Sequence, residues 1–482
     1  MIETLQQTMT APGASARQAR GRVGVFGIGL AAYWPQFPSL KERLEGYTRQ
    51  VIERVDPWAE VVSAGLVDDA DGARAAGDLF AREQVDVILL HTATYATSSQ
   101  VLPAVQRVNV PVVVLNLQPV AALDYAHTDT GEWLANCSAC CAPELAGAFS
   151  RARVPYQVVS GLLTGDDESR AWTEIREWCR AAGAVSALRR ARIGFLGHTY
   201  PGMLDMYSDF TQHHAQLGLH VEVLEMDDLQ ARVEAVTDAD LERVLAETRA
   251  MFALDDTVSE ERLAWAARVA AGMDRLVAAH RLDALTYYYR GRGAFEELGA
   301  ALILGGSRLT ARGIPCAGEG DLKNAVAMLL LDRLGAGGSY TEFYAMDLTE
   351  GFILMGHDGP GHVTISDRKP MLRGLGLYHG KAGRGVSVEF AVKTGPVTIL
   401  GVTQTADGRL KLLAAEGEAL PGETLRIGNT NSRLRFALPP DEFVDRWCEE
   451  GPTHHVALGV GHEAATLKKA GRLLGLETVV VE

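Results

Sequence analysis

Two stretches far apart in the chain open alike: "RVGVFGIGL" at residues 22–30 and "RIGFLGHTYPGM" at residues 192–203. Each is a short apolar run that ends in glycine, too short for a buried helix, so each reads as a strand entering a turn. "SLKERLEGYTRQVIERV" and "DDADGARAAGDLFARE" have helical spacing, while "VDVILLHTATY" (85–95) and "PVVVLNLQP" (111–119) are further short strands. Strands alternating with helices commit a chain to parallel sheets covered by helices. The pattern predicts two doubly wound α/β domains, Rossmann- or flavodoxin-like, over residues 1–185 and 186–335. The second follows the basic helix "AAGAVSALRRAR" and holds a helical stretch at 239–280 and a strand at 282–291. The repeat is architectural, because no sequence period connects the two. "GIGLAAYWPQFPSL" does not complete G-x-G-x-x-G, and Tyr33, Trp34 and Pro35 fill the space a dinucleotide needs.

Beyond residue 335 the character changes. "YTEFYAMD", "GFILMGHDG", "HVTISD", "GVSVEFAV", "GPVTILGVTQT", "RLKLLAAEGEAL" and "TLRIGNT" are short strands separated by Gly, Asp and Pro turns. That spacing predicts a mainly antiparallel sheet or β-barrel over residues 336–482, closed by a helix, "HEAATLKKAGRLLG", and a strand, "LETVVVE".

A net charge of -15 argues against nucleic acid and anionic membranes as partners, since both reward clustered Lys and Arg. The polar N-terminal stretch has no apolar signal core, and no run of about 18 apolar residues is present. The expected location is the cytoplasm. Six cysteines in 482 residues are too sparse for a disulfide framework. Cys137, Cys140 and Cys141 nevertheless cluster in "NCSACCAPE". A redox reading of that cluster needs a thioredoxin-like strand before it and a helix after it, and a zinc reading needs a second Cys or His pair. Buried or pocket-lining thiols are the plainer alternative.

The chemistry concentrates further on. In "CAGEGDLKNA" (316–325), Asp321 fits a helix N-cap, while Glu319 lies between two glycines that let backbone approach a ligand. Neither the phosphate-loop pattern nor an EF-hand pattern is present. In "YTEFYAMDLTEGFILMGHDGPGH" (340–362), Glu342 and Asp347 face opposite sides of a strand, and His357 ends the next one. In "GPTHHVALGVGH" (451–462), the adjacent His454 and His455 should point apart, so that only one easily reaches a given site. Two carboxylates and two imidazoles from four segments suit a fairly hard, octahedral divalent ion.

The order of these pieces resembles the L-arabinose isomerase family, within the group that includes L-fucose isomerases. "FEELGAALILGGSRLTARGIPCAGEGDLKNA", "GGSYTE", "ILMGH" and "THHV" resemble that family's acid stretch and metal loop, its second metal glutamate, its metal histidine and its His-His motif. The resemblance implies Glu319, Glu342, His357 and His455 as metal ligands, with Glu319 and Glu342 also the acid/base pair. His454 is the alternate histidine and a substrate contact, Asp347 the competing strand carboxylate, and Phe295 a wall of the sugar pocket. The family's N-terminal substrate loop is replaced by "GIGLAAYWP", where only Tyr33 is equivalent. Its segment that lends a histidine to a neighbouring subunit reads "NCSACCA", with Cys137 and Cys140 at the glutamine and histidine positions.

The resemblance thus implies a metal-dependent aldose–ketose isomerase, converting L-arabinose to L-ribulose, and also D-galactose to D-tagatose, through a cis-enediol. The implied cofactor is Mn2+, or else Co2+ or Mg2+. A homo-oligomer, trimer or hexamer, with pockets shared between subunits is implied as well. The alternatives are an isomerase for L-fucose or another aldose, and a sugar-binding protein without catalysis.

Overall fold

Helix Leu40–Val55 shows how the pattern becomes structure. Its Leu40, Leu44, Thr48, Val51 and Val55 recur three or four residues apart and are all buried, leaving the charged positions to solvent. The computed structural model describes residues 19–288, 290, 293–374 and 385–482, as two units, 19–186 and 187–482. The N-terminal stretch through residue 18, and residues 289 and 291 of the strand predicted at 282–291, lie outside the described residues. Among the described residues no helix is long and apolar enough to cross a membrane.

The first unit holds five strands: β1 (Arg22–Ile28), β2 (Glu60–Val67), β3 (Val87–His91), β4 (Val112–Gln118) and β5 (Tyr156–Leu162). All pair in parallel in the order β2-β1-β3-β4-β5. That is the flavodoxin-like order, with its switch point between β1 and β3, where the chain leaves in opposite directions and a crevice opens at the carboxyl ends. Trp34 lies over the first turn here. A Cβ on Gly29 would stand 2.9 Å from its ring, and its indole N–H donates to Asp68 at 2.8 Å.

The second unit repeats the plan and adds to it. Strands β6 (Arg192–Gly197), β7 (His220–Leu224), β9 (Ala284–Tyr288) and β10 (Cys316–Ala317) pair in parallel in the order β10-β9-β6-β7. The predicted helix at 239–280 is instead two helices, Asp238–Met251 and Glu260–His280, separated by β8 (Ala253–Leu254). Pairing with a later strand, β13 (Met371–Gly374), decides this, since Ala253 and Leu254 lie beside Met371 and Leu372. Tertiary pairing outweighs local helix preference there.

Seven strands follow: β11 (Gly337–Asp347), β12 (Phe352–His357), β14 (Val386–Glu389), β15 (Gly395–Gln404), β16 (Leu410–Leu420), β17 (Thr430–Phe436) and β18 (His455–Val460). β15-β18-β11-β12-β17-β16 is a continuous antiparallel sheet that closes on itself through β15–β16 pairing, a six-stranded barrel. The last strand, β19 (Glu477–Val480), adds in parallel to β16. Two predicted strands are absent. "HVTISD" forms a short 3-10 turn, Val363–Ile365. "TLRIGNT" is a loop folded onto Asn431, whose side chain bonds both the N–H and the C=O of Leu425 in place of a ladder partner.

Helix Leu322–Arg333 ties sheet and barrel together. It packs against β9 and β10 on one side and β11, β15 and β18 on the other. Residues Leu322 to Leu331 are therefore all buried, including Lys323 and Asn324. Its N-terminus points at the carboxyl ends of β9 and β10, and the chemistry collects there.

Candidate metal centre

The loop Gly318–Asp321 leaves β10 and enters helix Leu322–Arg333. It is stitched across the switch point of the second sheet. Gly320 N–H donates to Tyr287 O at 2.9 Å, and Tyr200 N–H to Glu319 O at 2.9 Å. A Cβ on Gly320, whose φ is +69°, would stand 2.3 Å from His198 O, so glycine is required there. Glu319 itself has φ +59°, a left-handed conformation that costs a non-glycine residue about 1–2 kcal/mol. Such strain persists where surrounding structure imposes it, commonly at functional sites.

Barrel register supplies the other groups. Glu342 on β11 lies opposite Gly356 of β12 on one side and His455 of β18 on the other. His357 follows Gly356 directly. His357 Nε2 and His455 Nε2 stand 3.2 Å apart, and His455 Nε2 is 3.7 Å from Glu319. Within each of three groups, one ligand atom per residue lies within 4.8 Å of the others: Glu342, His357 and His455; Glu319, His454 and His455; and Glu319, His357 and Asp358.

The Nδ1 atoms explain why the Nε2 atoms converge. His455 Nδ1 bonds Asp321 at 3.0 Å, and His357 Nδ1 lies 3.3 Å from Asp358. A carboxylate on one ring nitrogen fixes the tautomer and leaves the other nitrogen's lone pair for a cation. Two nitrogens 3.2 Å apart match neighbouring ligands held at about 2.1 Å around one ion. Burial lowers the His455 pKa, more than Asp321 raises it, which favours the neutral ligating form. Two carboxylates with two imidazoles, and no thiolate, thus fit a divalent cation.

Tyr340 is the floor of this cluster. Its fully buried ring lies 4.3 Å from the His357 ring and 4.6 Å from the His455 ring, and its hydroxyl reaches His455 Nδ1 at 2.8 Å. Gly318 leaves room for it, since a Cβ there would stand 3.0 Å from the Tyr340 ring. Burial pushes the half-buried Glu342 carboxyl up to about 7, with His454 pulling down and Asp358 pushing up.

The adjacent histidines do not point apart. His454 precedes β18, so strand alternation does not govern it, and the two ring centroids are 3.9 Å apart. His454 sits at the rim, where its Nδ1 and its backbone N–H both meet Asp205, at 2.6 and 3.0 Å. Burial is the largest single influence and works against charge in both partners, but their hydrogen bonds and charge attraction, joined at His454 by Glu342 and Asp321, together outweigh it, raising the His454 pKa and holding Asp205 well below the usual carboxylate range. Asp347 is a turn residue, accepting the N–H groups of Thr349 and Glu350 at 2.9 and 2.8 Å. Asp321 is the expected cap, bonding Asn324 N at 2.9 Å, but its other oxygen also steadies His455. Phe295, on helix Ala294–Ala300, packs half-buried against the core of its unit. Sequence reasoning missed Asp205, Tyr340 and Asp358; only the histidine neighbour of Asp358 in "GHDG" hinted at it.

The remaining predicted residues gather in the first unit, after β1 and β4. Tyr33 ends a 3-10 turn and its phenol lies near Cys137, Cys140, Cys141 and Tyr95; burial first, then those neighbours, raises its pKa. Cys137 and Cys140 have their sulfurs 3.0 Å apart.

Comparison with known proteins agrees with this picture. Residues 207–337 match the family model of the L-arabinose isomerase central domain, and residues 337–477 that of the L-arabinose isomerase C-terminal domain. Together these span more than half of the chain. A sulfoquinovose isomerase from Alkalicoccus urumqiensis is 26% identical over 410 residues, 82% of this chain and 86% of the relative. An L-arabinose isomerase from a Nocardioides species is 25% identical over 463 residues, covering 92% of this chain and 91% of the relative. Another from Acidothermus cellulolyticus is 25% identical over 391 residues, covering 77% and 75%.

Proposed function

The chain belongs to the L-arabinose isomerase family and is an aldose–ketose isomerase, and from that premise we propose that it converts L-arabinose to L-ribulose, with Glu319 and Glu342 as its acid/base pair. The observation that carries the residue assignment is the convergence of both carboxylates on the paired Nε2 atoms of His357 and His455. These four side chains would hold a divalent cation, Mn2+ in this reading. When bound, it polarises the carbonyl and steadies charge on the two sugar oxygens.

Isomerisation moves a proton from C2 to C1 and another from the C2 hydroxyl to the C1 oxygen. One glutamate removes the C2 proton and returns it to C1, and the other carries the oxygen-bound proton, through a cis-enediol. Two carboxylates are needed because one must be basic while its partner is protonated, and a crowded cluster separates their affinities. Glu319, held rigidly by its strained turn, keeps a fixed geometry, while His454, braced by Asp205, stands at the rim where a sugar hydroxyl would meet it.

A second reading, isomerisation of a sulfonated hexose, is favoured by the sulfoquinovose isomerase among the relatives. Ketose formation from L-arabinose, D-galactose, L-fucose and sulfoquinovose, with Mn2+ or with EDTA, separates the readings. Turnover of L-arabinose above the others, lost in EDTA and restored by Mn2+, is the expected result. Preference for sulfoquinovose replaces the first reading with the second, and sugar binding without conversion overturns the acid/base assignment. We also propose a trimer or hexamer, with pockets shared between subunits, which sedimentation of the full chain tests.

A further inference from the structure

The proton transfers assigned to Glu319 and Glu342 do not involve the cysteine cluster. Cys137 and Cys140 are three apart in "CSAC", in the turn that joins helix Thr130–Ala135 to helix Cys141–Ala152. The turn is fixed from both ends, with Cys137 N–H donating to Leu134 O and Cys141 N–H to Ser138 O, each at 3.2 Å. Cys137 Sγ and Cys140 Sγ are both free thiols, 3.0 Å apart, which is within the separation of groups poised to react. Cys140 is exposed and Cys137 is buried behind it. Cys141 points elsewhere, its Sγ donating to Ala96 O at 3.2 Å, and Cys179 and Cys316 are buried.

We propose that Cys137 and Cys140 form a reversible dithiol–disulfide site that accepts low-molecular-weight disulfides. The Cys140 thiolate attacks one sulfur of the small disulfide, forming a mixed disulfide and releasing the first small thiolate. The Cys137 thiol, which burial pushes up to about 12, gives up its proton as its sulfur attacks Cys140 Sγ, forming the internal disulfide and releasing the second small thiolate, which takes that proton. The two protein thiols lose two electrons and two protons, and the small disulfide is reduced to two thiols. The helix after Cys140 is the one a redox reading of the sequence requires. The strand immediately before the pair is replaced by helix Thr130–Ala135, so the site resembles a thioredoxin motif in spacing but not in setting.

The test uses the full-length protein with excess oxidised glutathione, followed by alkylation and peptide mass mapping. The expected product is a peptide in which Cys137 and Cys140 carry neither glutathione nor alkyl groups and are together lighter by two hydrogens, about 2 Da, while the adjacent Cys141 takes a single alkyl group once the chain is unfolded. Dithiothreitol should restore two alkylatable thiols. Cys137→Ser should trap glutathione on Cys140, and Cys140→Ser should leave Cys137 unmodified on the same timescale. Phenylarsine oxide, which needs two close thiols, should protect both cysteines in the unsubstituted protein, so the test does not depend on the variants folding. Stable glutathione on wild-type Cys140 with Cys137 still alkylatable would overturn the proposal, as would failure of both reagents to protect the pair.

Discussion

The two parallel sheets have the same strand order where they overlap, yet the carboxyl ends carry opposite chemistry. The second sheet's edge presents Glu319 beside His357 and His455, polar groups steadied by Asp321, Asp358 and Tyr340. The first sheet's edge presents a phenol, two thiols and a fully buried imidazole, His91, whose pKa burial lowers to about 4. One topology thus delivers residues to one place, and side-chain identity decides what happens there.

The comparison can be broken most directly at the second sheet. Glu319→Gln or Glu342→Gln should lower kcat about 10³-fold, the middle of the range for general acid/base groups. Metal content measured alongside separates lost proton transfer from a lost cation, and near-full turnover with metal bound would remove that edge's claim to chemistry.

At the first sheet, His91 predicts a pH effect on folding. Its folded pKa of about 4 lies below the ordinary 6.5, so the fold favours the neutral ring. The stability this contributes is complete above about 6.5 and is lost as pH falls toward 4, by about 3 kcal/mol. Urea unfolding at pH 7 and pH 4.5 should show that loss in wild type and a smaller one in His91→Asn. Equal losses would mean that a neutral imidazole is not what distinguishes this edge.

Asp321→Asn keeps a good helix cap but replaces the carboxylate facing His455 Nδ1. Metal affinity should fall about 10- to 100-fold with little change in melting temperature, as titration calorimetry and thermal melts would reveal. Asp205→Asn removes the charge beneath His454 while keeping an acceptor for its backbone N–H. The KM should rise about tenfold, the cost of weakening one charged hydrogen bond, with kcat nearly unchanged. A fall in kcat alone would move His454 from the rim into the reacting centre.

Much of this was legible beforehand. The α/β alternation, the barrel and its closing helix and strand follow from periodicity and turn residues, which are local. The strands at "HVTISD" and "TLRIGNT" were misread because Asn431 and the pairing of neighbouring segments, all distant in sequence, settle those backbones. Glu319, Glu342, His357 and His455 could be named as candidates because each sits in a short motif of fixed order. Asp205 was not, since it meets His454 only after folding has brought positions 205 and 454 together.

By itself the sequence determined which residue types are available and which elements they build, because propensity and spacing act between near neighbours. Only the tertiary structure decided that Asp321 serves two purposes and that His454 lies beside His455. It also decided that Tyr340 supports both imidazoles. Those facts depend on strand register and on one buried helix joining sheet to barrel, and such contacts leave no periodic trace in the chain.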